Sequence, residues 1–133
     1  MRAYVRSQTG MLLRRFVAET TQTSRNTDKD SIHDLRVSIR RLSRCLRVFS
    51  KFYPARSWKP IRRRLRGLMD SCGSVRDCDI AIGLLQEAGL SESAPLVRRL
   101  QAERRSAARE LELELQAFKA RGFSREWRKR LEL

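Results

Sequence analysis

The sequence predicts an all-α protein, a four-helix bundle, on three observations. Apolar residues recur at spacings of three and four along the chain, alternating strand patterns are almost absent, and only 6 Gly and 3 Pro punctuate 133 residues. At 15.6 kDa the chain fits a single helical domain over residues 1–133, with one core. Hydrophobic residues at 41% can support that core, so the charge decorates a fold and does not mark a disordered tail.

The first helix is predicted from about Ala3 to Thr21, with Val5, Leu12 and Phe16 facing inward. It dissolves into a polar stretch, where Asp28 or Asp30 caps the second helix. That helix should run from Lys29 to Phe52, since Ile32, Leu35, Ile39, Leu42, Leu46, Phe49 and Tyr53 step alternately by three and four, as a bundle seam does. Pro54 stops it. A third helix begins near Ser57, carries Ile61, Leu65, Leu68, Cys72, Val75 and Ile82, and ends at Gly89. Ser91 or Ser93 opens the fourth, with Pro95 in its first turn, where a missing N–H costs nothing. Leu111, Leu113 and Leu115 alternate like a strand but lie in a long run of helix formers, so the segment reads as helix, with a pause at Gly122.

The charge narrows the function. Thirty Lys and Arg against 15 Asp and Glu give a formal net charge of +15, and 25 of the 30 are Arg. Such a chain is built for an anionic partner, and the planar Arg fork grips phosphate oxygens in pairs. Cys45, Cys72 and Cys78 form no C-x-x-C pair, and a lone histidine leaves too few ligands for a usual zinc site, so neither a disulfide framework nor a metal is expected. No apolar run reaches the roughly 18 residues of a membrane span, and a reduced, cytoplasmic protein is the expectation.

The cations are patterned. His33, Arg36, Arg40, Arg44, Arg47 and Lys51 recur at three and four, forming one stripe about five turns long whose centre lies roughly 140° around the second helix from its apolar seam. Arg41 sits beside it. Like charges stacked at these spacings repel, and no Glu alternates in as on an ordinary solvated face. Lys59, Arg62, Arg63 and Arg66 repeat the pattern on the third helix, opposite Ile61, Leu65 and Leu68, and two basic faces suggest a cleft. On the fourth helix Arg98, Arg105 and Arg109 are followed closely by Glu110, Glu112 and Glu114, which reads as salt-bridged surface.

His33 has no nucleophile or base partner nominated by the sequence; at the head of an Arg stripe it reads as a donor to a phosphate oxygen. Asp77 and Asp79, following Arg76, either hold arginine forks in place or form a charge pair after Gly73.

Two strings are specific: His33-Asp34-Leu35-Arg36-Val37-Ser38-Ile39-Arg40-Arg41-Leu42, and Leu68 to Ile80 with its core Arg76-Asp77-Cys78-Asp79. They resemble the CHAD family, the conserved histidine α-helical domain, with Cys72 for a usual Leu, Ile80 for Val, and Gly122-Phe123 for Arg-Tyr. The resemblance implies a helical bundle with a basic cavity that binds inorganic polyphosphate without catalysis or cofactor. The expected contacts are His33, Arg36, Arg40, Arg41, Arg44, Arg47, Lys51, Lys59, Arg62, Arg63, Arg66 and Arg76, with Asp77 and Asp79 in support. Family domains usually hold two such repeats facing one another and this chain shows one set of motifs, so it corresponds to half of a domain and a homodimer is expected to rebuild the cavity.

The competing reading is an RNA- or DNA-binding bundle. Single-strand binders interleave exposed aromatics with the basic groove, whereas Phe16, Phe49, Phe52 and Tyr53 read as core or seam. A phosphotransferase would need carboxylate-held Mg²⁺ and a positioned nucleophile, for which Asp77 and Asp79 are too little, and the basic faces carry no insertable Trp or Leu for a membrane surface.

Overall fold

A computed structural model describes all 133 residues and is wholly helical. The helices are α1 (Arg2–Arg25), α2 (Lys29–Val48), α3 (Ala55–Glu87), α4 (Pro95–Ala120) and α5 (Phe123–Arg130), with a 3-10 turn at Ser50–Phe52. Five helices replace the four expected. Gly122 adopts a left-handed φ of 65°, which ends α4, and the chain then winds into a short helix whose Phe123 and Trp127, with the capping Leu131, are buried. The pause expected at Gly122 is therefore a corner between two helices.

Each long helix packs on two neighbours, α1 on α2 and α4, and α3 on α2 and α4, around one core. The seam of α2 is buried as its spacing predicts: Ile32, Leu35, Ile39, Leu42 and Leu46 are at most 2% exposed. Beyond Val48 the helix gives way to the 3-10 turn, Phe49 is half-buried, and Tyr53 re-enters the core, donating its hydroxyl to Thr9 Oγ1 at 2.8 Å.

α1 runs four residues past its expected end. Its inward face is carried largely by threonines, Thr9, Thr20 and Thr23, whose hydroxyls donate to the carbonyls of Val5, Phe16 and Ser31. A count of apolar spacing misses that face, and so Leu13 rather than Leu12 is the fully buried leucine. α3 starts at Ala55 and ends in a Schellman turn: Leu90 N–H donates to Leu85 C=O and Gly89 N–H to Gln86 C=O, with Gly89 at φ 93°. The alternating leucines are helical, Leu111 and Leu115 buried and Leu113 exposed.

Candidate anion-binding site

The site begins with the anchoring of α2. Asp28 caps it, its carboxylate accepting from the Ser31 N–H at 2.8 Å, and that hydrogen bond holds the Asp28 carboxyl below its ordinary range. The loop before it is clamped from the far side of the fold. Arg104 on α4 donates to Asp79 Oδ1 at 2.6 Å and Oδ2 at 3.3 Å, and to the Thr27 carbonyl at 2.7 Å. One guanidinium thereby ties α4, α3 and the α1–α2 loop together, and the N-terminus of α2 is fixed.

Between α2 and α3 lies a groove of about 270 Å³. Its floor is Ile39 and Leu65, both buried, with Met69 half-buried beside them. Around it stand five arginines: Arg40, Arg44 and Arg47 from α2, and Arg62 and Arg66 from α3, against the single carboxylate of Asp70. Arg62 Nε donates to Ser43 Oγ at 3.0 Å, which orients that fork while leaving its terminal nitrogens free. A second depression of about 220 Å³, lined by Trp58, Lys59, Arg62, Arg63 and Arg66, shares Arg62 and Arg66 with the first. The two basic faces predicted from sequence thus meet.

Most cations of this chain are unpaired, since only Arg6, Arg15, Arg99, Arg104, Arg109 and Arg130 meet a carboxylate; what marks the groove is that five unpaired arginines converge on it. Six ion pairs exist, and none includes a cation of α2 or of the first half of α3. On α4 Arg109 pairs with Glu112, as the sequence suggested, but Arg98 and Arg105 do not pair, and the other pair of that surface is Arg99 with Glu103. An arginine left without a carboxylate keeps all its charge for an external anion.

Not every expected residue reaches the groove. His33 is exposed in the first turns of α2, Arg41 is exposed about 100° around the helix from Arg40, and Lys51 stands exposed on the 3-10 turn; none lines either depression. Arg36 is half-buried with its Nε unpartnered and buried, and its charge acts on Cys72, whose thiol burial pushes up to about 12. Arg76 is half-buried on α3, on the helical face that bears Met69.

The acids divide. Asp77 is exposed and makes no ion pair, so it holds no fork. Asp79 does hold a fork, but that of Arg104 and not of a stripe arginine. Sequence reading missed Arg104, although a signal was present: it stands seven residues after Val97 and seven before Leu111, a lone arginine in an apolar register. Trp58 was missed too, and it corrects the expectation that the basic faces carry no Trp: it lines the second depression with Lys59, Arg62, Arg63 and Arg66, Lys59 Nζ lying 5.8 Å from its ring centroid, because it follows directly on the buried Ser57 at the start of α3.

A model of the CHAD domain matches residues 9–133, nearly the whole chain, including both specific strings. The chain belongs to the CHAD domain family. No curated protein and no solved structure matches it. In this CHAD chain no helix is long and apolar enough to cross a membrane.

Proposed function

We propose that this CHAD chain binds inorganic polyphosphate, in the groove between α2 and α3, and does no chemistry on it. One observation carries the reading: Arg40, Arg44, Arg47, Arg62 and Arg66 converge on one groove and none is neutralised by an ion pair. A folded protein gains nothing from assembling unpaired like charges, which repel at these spacings. A linear polyanion converts that repulsion into attraction, and each neutralised phosphate releases counterions, so the affinity falls steeply with salt. The floor of Ile39, Leu65 and Met69 is too apolar to hydrogen-bond a nucleobase, and the groove itself presents no aromatic ring for one to stack on.

Around the groove, His33, Arg36, Arg41, Lys51 and Arg76 extend the positive field and meet a chain longer than the groove. The motif set present here is one repeat of the family's two-repeat arrangement, a four-helix unit closed by α5. A second copy related by C2 symmetry then supplies the opposing stripe. The protein works in the cytoplasm, where its cysteines stay reduced.

A second reading, binding of single-stranded RNA or DNA, is favoured by one feature, Trp58 among Lys59, Arg62, Arg63 and Arg66. Titration with long-chain polyphosphate and with RNA of equal charge, at two salt concentrations, separates the readings. Polyphosphate should bind more tightly at both. Tighter RNA binding that is lost in Trp58→Ala would overturn the proposal.

A further inference from the structure

We infer a second, separate anion site at the corner between α4 and α5, taking a short condensed phosphate. Here Lys119, Arg121, Arg125, Arg128 and Lys129 surround a shallow cleft of about 880 Å³ whose one acid is Glu126. Glu126 is already engaged by Arg130 at 3.0 Å, and none of the five lining cations has an ion-pair partner.

Helix electrostatics account for part of this cluster and fail for the rest. Cations in the last turn of a helix complement the negative end of its dipole, which explains Lys119 on α4 and Arg128 and Lys129 on α5. Arg125 sits in the first turn of α5, at the positive end, where the dipole disfavours a cation, and it is exposed and unpaired, the neighbouring Glu126 of that turn being engaged by Arg130. Arg121, the C-cap of α4, is favoured by that helix's own dipole but adds its charge to the cleft that Arg125 lines. Arg125 raises the energy of the free protein, and an anion in the cleft would reward it.

The platform beneath them is rigid. Phe123 and Trp127 pack on Phe16 and Phe118, with the Phe16 and Trp127 rings stacked at 5.7 Å, and Arg64 covers the faces of Phe118 and Trp127. Gly122 turns the chain so that the end of α4 and the start of α5 face one cleft. Because the apolar side chains of α5 are all spent in this core, none is left to insert into a bilayer. The cleft lining holds no aromatic side chain for base stacking. Clustered Arg forks and Lys ammonium groups with neither feature fit a soluble, compact polyanion, and the probe is inorganic tripolyphosphate.

Calorimetric titration at low salt tests this on three full-length chains. Parent protein should bind about two tripolyphosphates per chain, and Arg125→Glu about one, with a several-fold weaker corner. Arg125→Glu places an acid where the dipole welcomes one, so its helix is stabilised and a loss of binding is not a loss of fold. Arg121→Gln with Lys129→Gln gives the same loss without reversing a charge. A groove variant, Arg40→Ala with Arg44→Ala and Arg47→Ala, should keep the corner site and lose the other, which makes the inference independent of the groove reading. Unchanged stoichiometry in both corner variants overturns the inference and leaves the groove reading standing. Binding lost from the groove variant alone does the same, whereas binding lost from the corner variants alone overturns the groove reading. Retention on phosphatidylserine vesicles that needs Arg125, with no tripolyphosphate bound there, would assign the corner to a lipid surface and also overturn the inference.

Discussion

Replacing Arg104 with Ala should be among the costliest single changes in this protein, although Arg104 touches no groove. The Asp79 side chain is 5% exposed and that of Arg104 22%. Removing the guanidinium leaves a carboxylate buried on α3 with no counter-charge, and strips the Thr27 carbonyl of its donor. Breaking a buried pair by deleting one partner costs about 3–5 kcal/mol, and because Arg104 keeps some contact with water the lower end, about 3 kcal/mol, applies. For a chain of this length that is a fall in Tm of about 12 °C. Urea unfolding followed by far-UV circular dichroism reads the difference directly. Deleting both partners should cost less than Arg104→Ala alone, since no orphaned charge then remains. A destabilisation of Arg104→Ala below about 1 kcal/mol, or a double variant worse than the single, would refute the clamp.

In the groove, Arg40→Ala with Arg44→Ala and Arg47→Ala should leave the circular dichroism spectrum unchanged, because all three are exposed, and lower the salt slope of polyphosphate binding by about three. Cys72 titrates near 12 in the fold against an ordinary 9.0, so above pH 9.0 the unfolded chain releases its proton first and stability falls as pH rises toward 12, by about 2 kcal/mol at a pH of about 10.5. Cys72→Ala should lose that much less stability over the same alkaline step. Purified protein should release no orthophosphate from polyphosphate; Mg²⁺-dependent release that vanishes in Asp77→Asn would show catalysis. Light scattering should find two chains joined when polyphosphate is bound, and a strictly one-chain complex would sink the paired cavity.

What could be read from the sequence was the part written in one residue class at one period. The α2 seam and the basic stripe are each a single chemistry repeating at three and four, and the burial of Ile32 to Leu46 and the meeting of Arg40, Arg44 and Arg47 with Arg62 and Arg66 follow from them. Features that mix chemistries were hidden. The far turns of α1 are held by threonine hydroxyls bonded to carbonyls, α5 depends on Gly122 and two aromatics across a break, and Arg104 is a charge inside an apolar register. The partner of Asp79 is 25 residues away on another helix, and no local spacing reveals which arginine a carboxylate will meet.

Charge placement along the chain explains why the groove stays unpaired. From Leu35 to Met69 the sequence holds 12 Lys and Arg and not one Asp or Glu, and this stretch is the one that folds α2 back along α3. Two unit charges about 10 Å apart across water repel by roughly 0.4 kcal/mol before salt screening, so a dozen cations on one hairpin impose a cost of several kcal/mol at low salt. The apolar seams of both helices, turned away from the stripes, offset that cost by burial. Acids are scarce throughout, 15 against 30 cations, but this hairpin has none at all, whereas Asp79 is placed where Arg104 serves the fold. A single Glu at any of the exposed groove positions would stabilise the free protein through i, i+4 pairing and would put a negative charge in the path of a phosphate chain. The groove accordingly carries a stability cost at low salt, which screening ions or a bound anion would relieve.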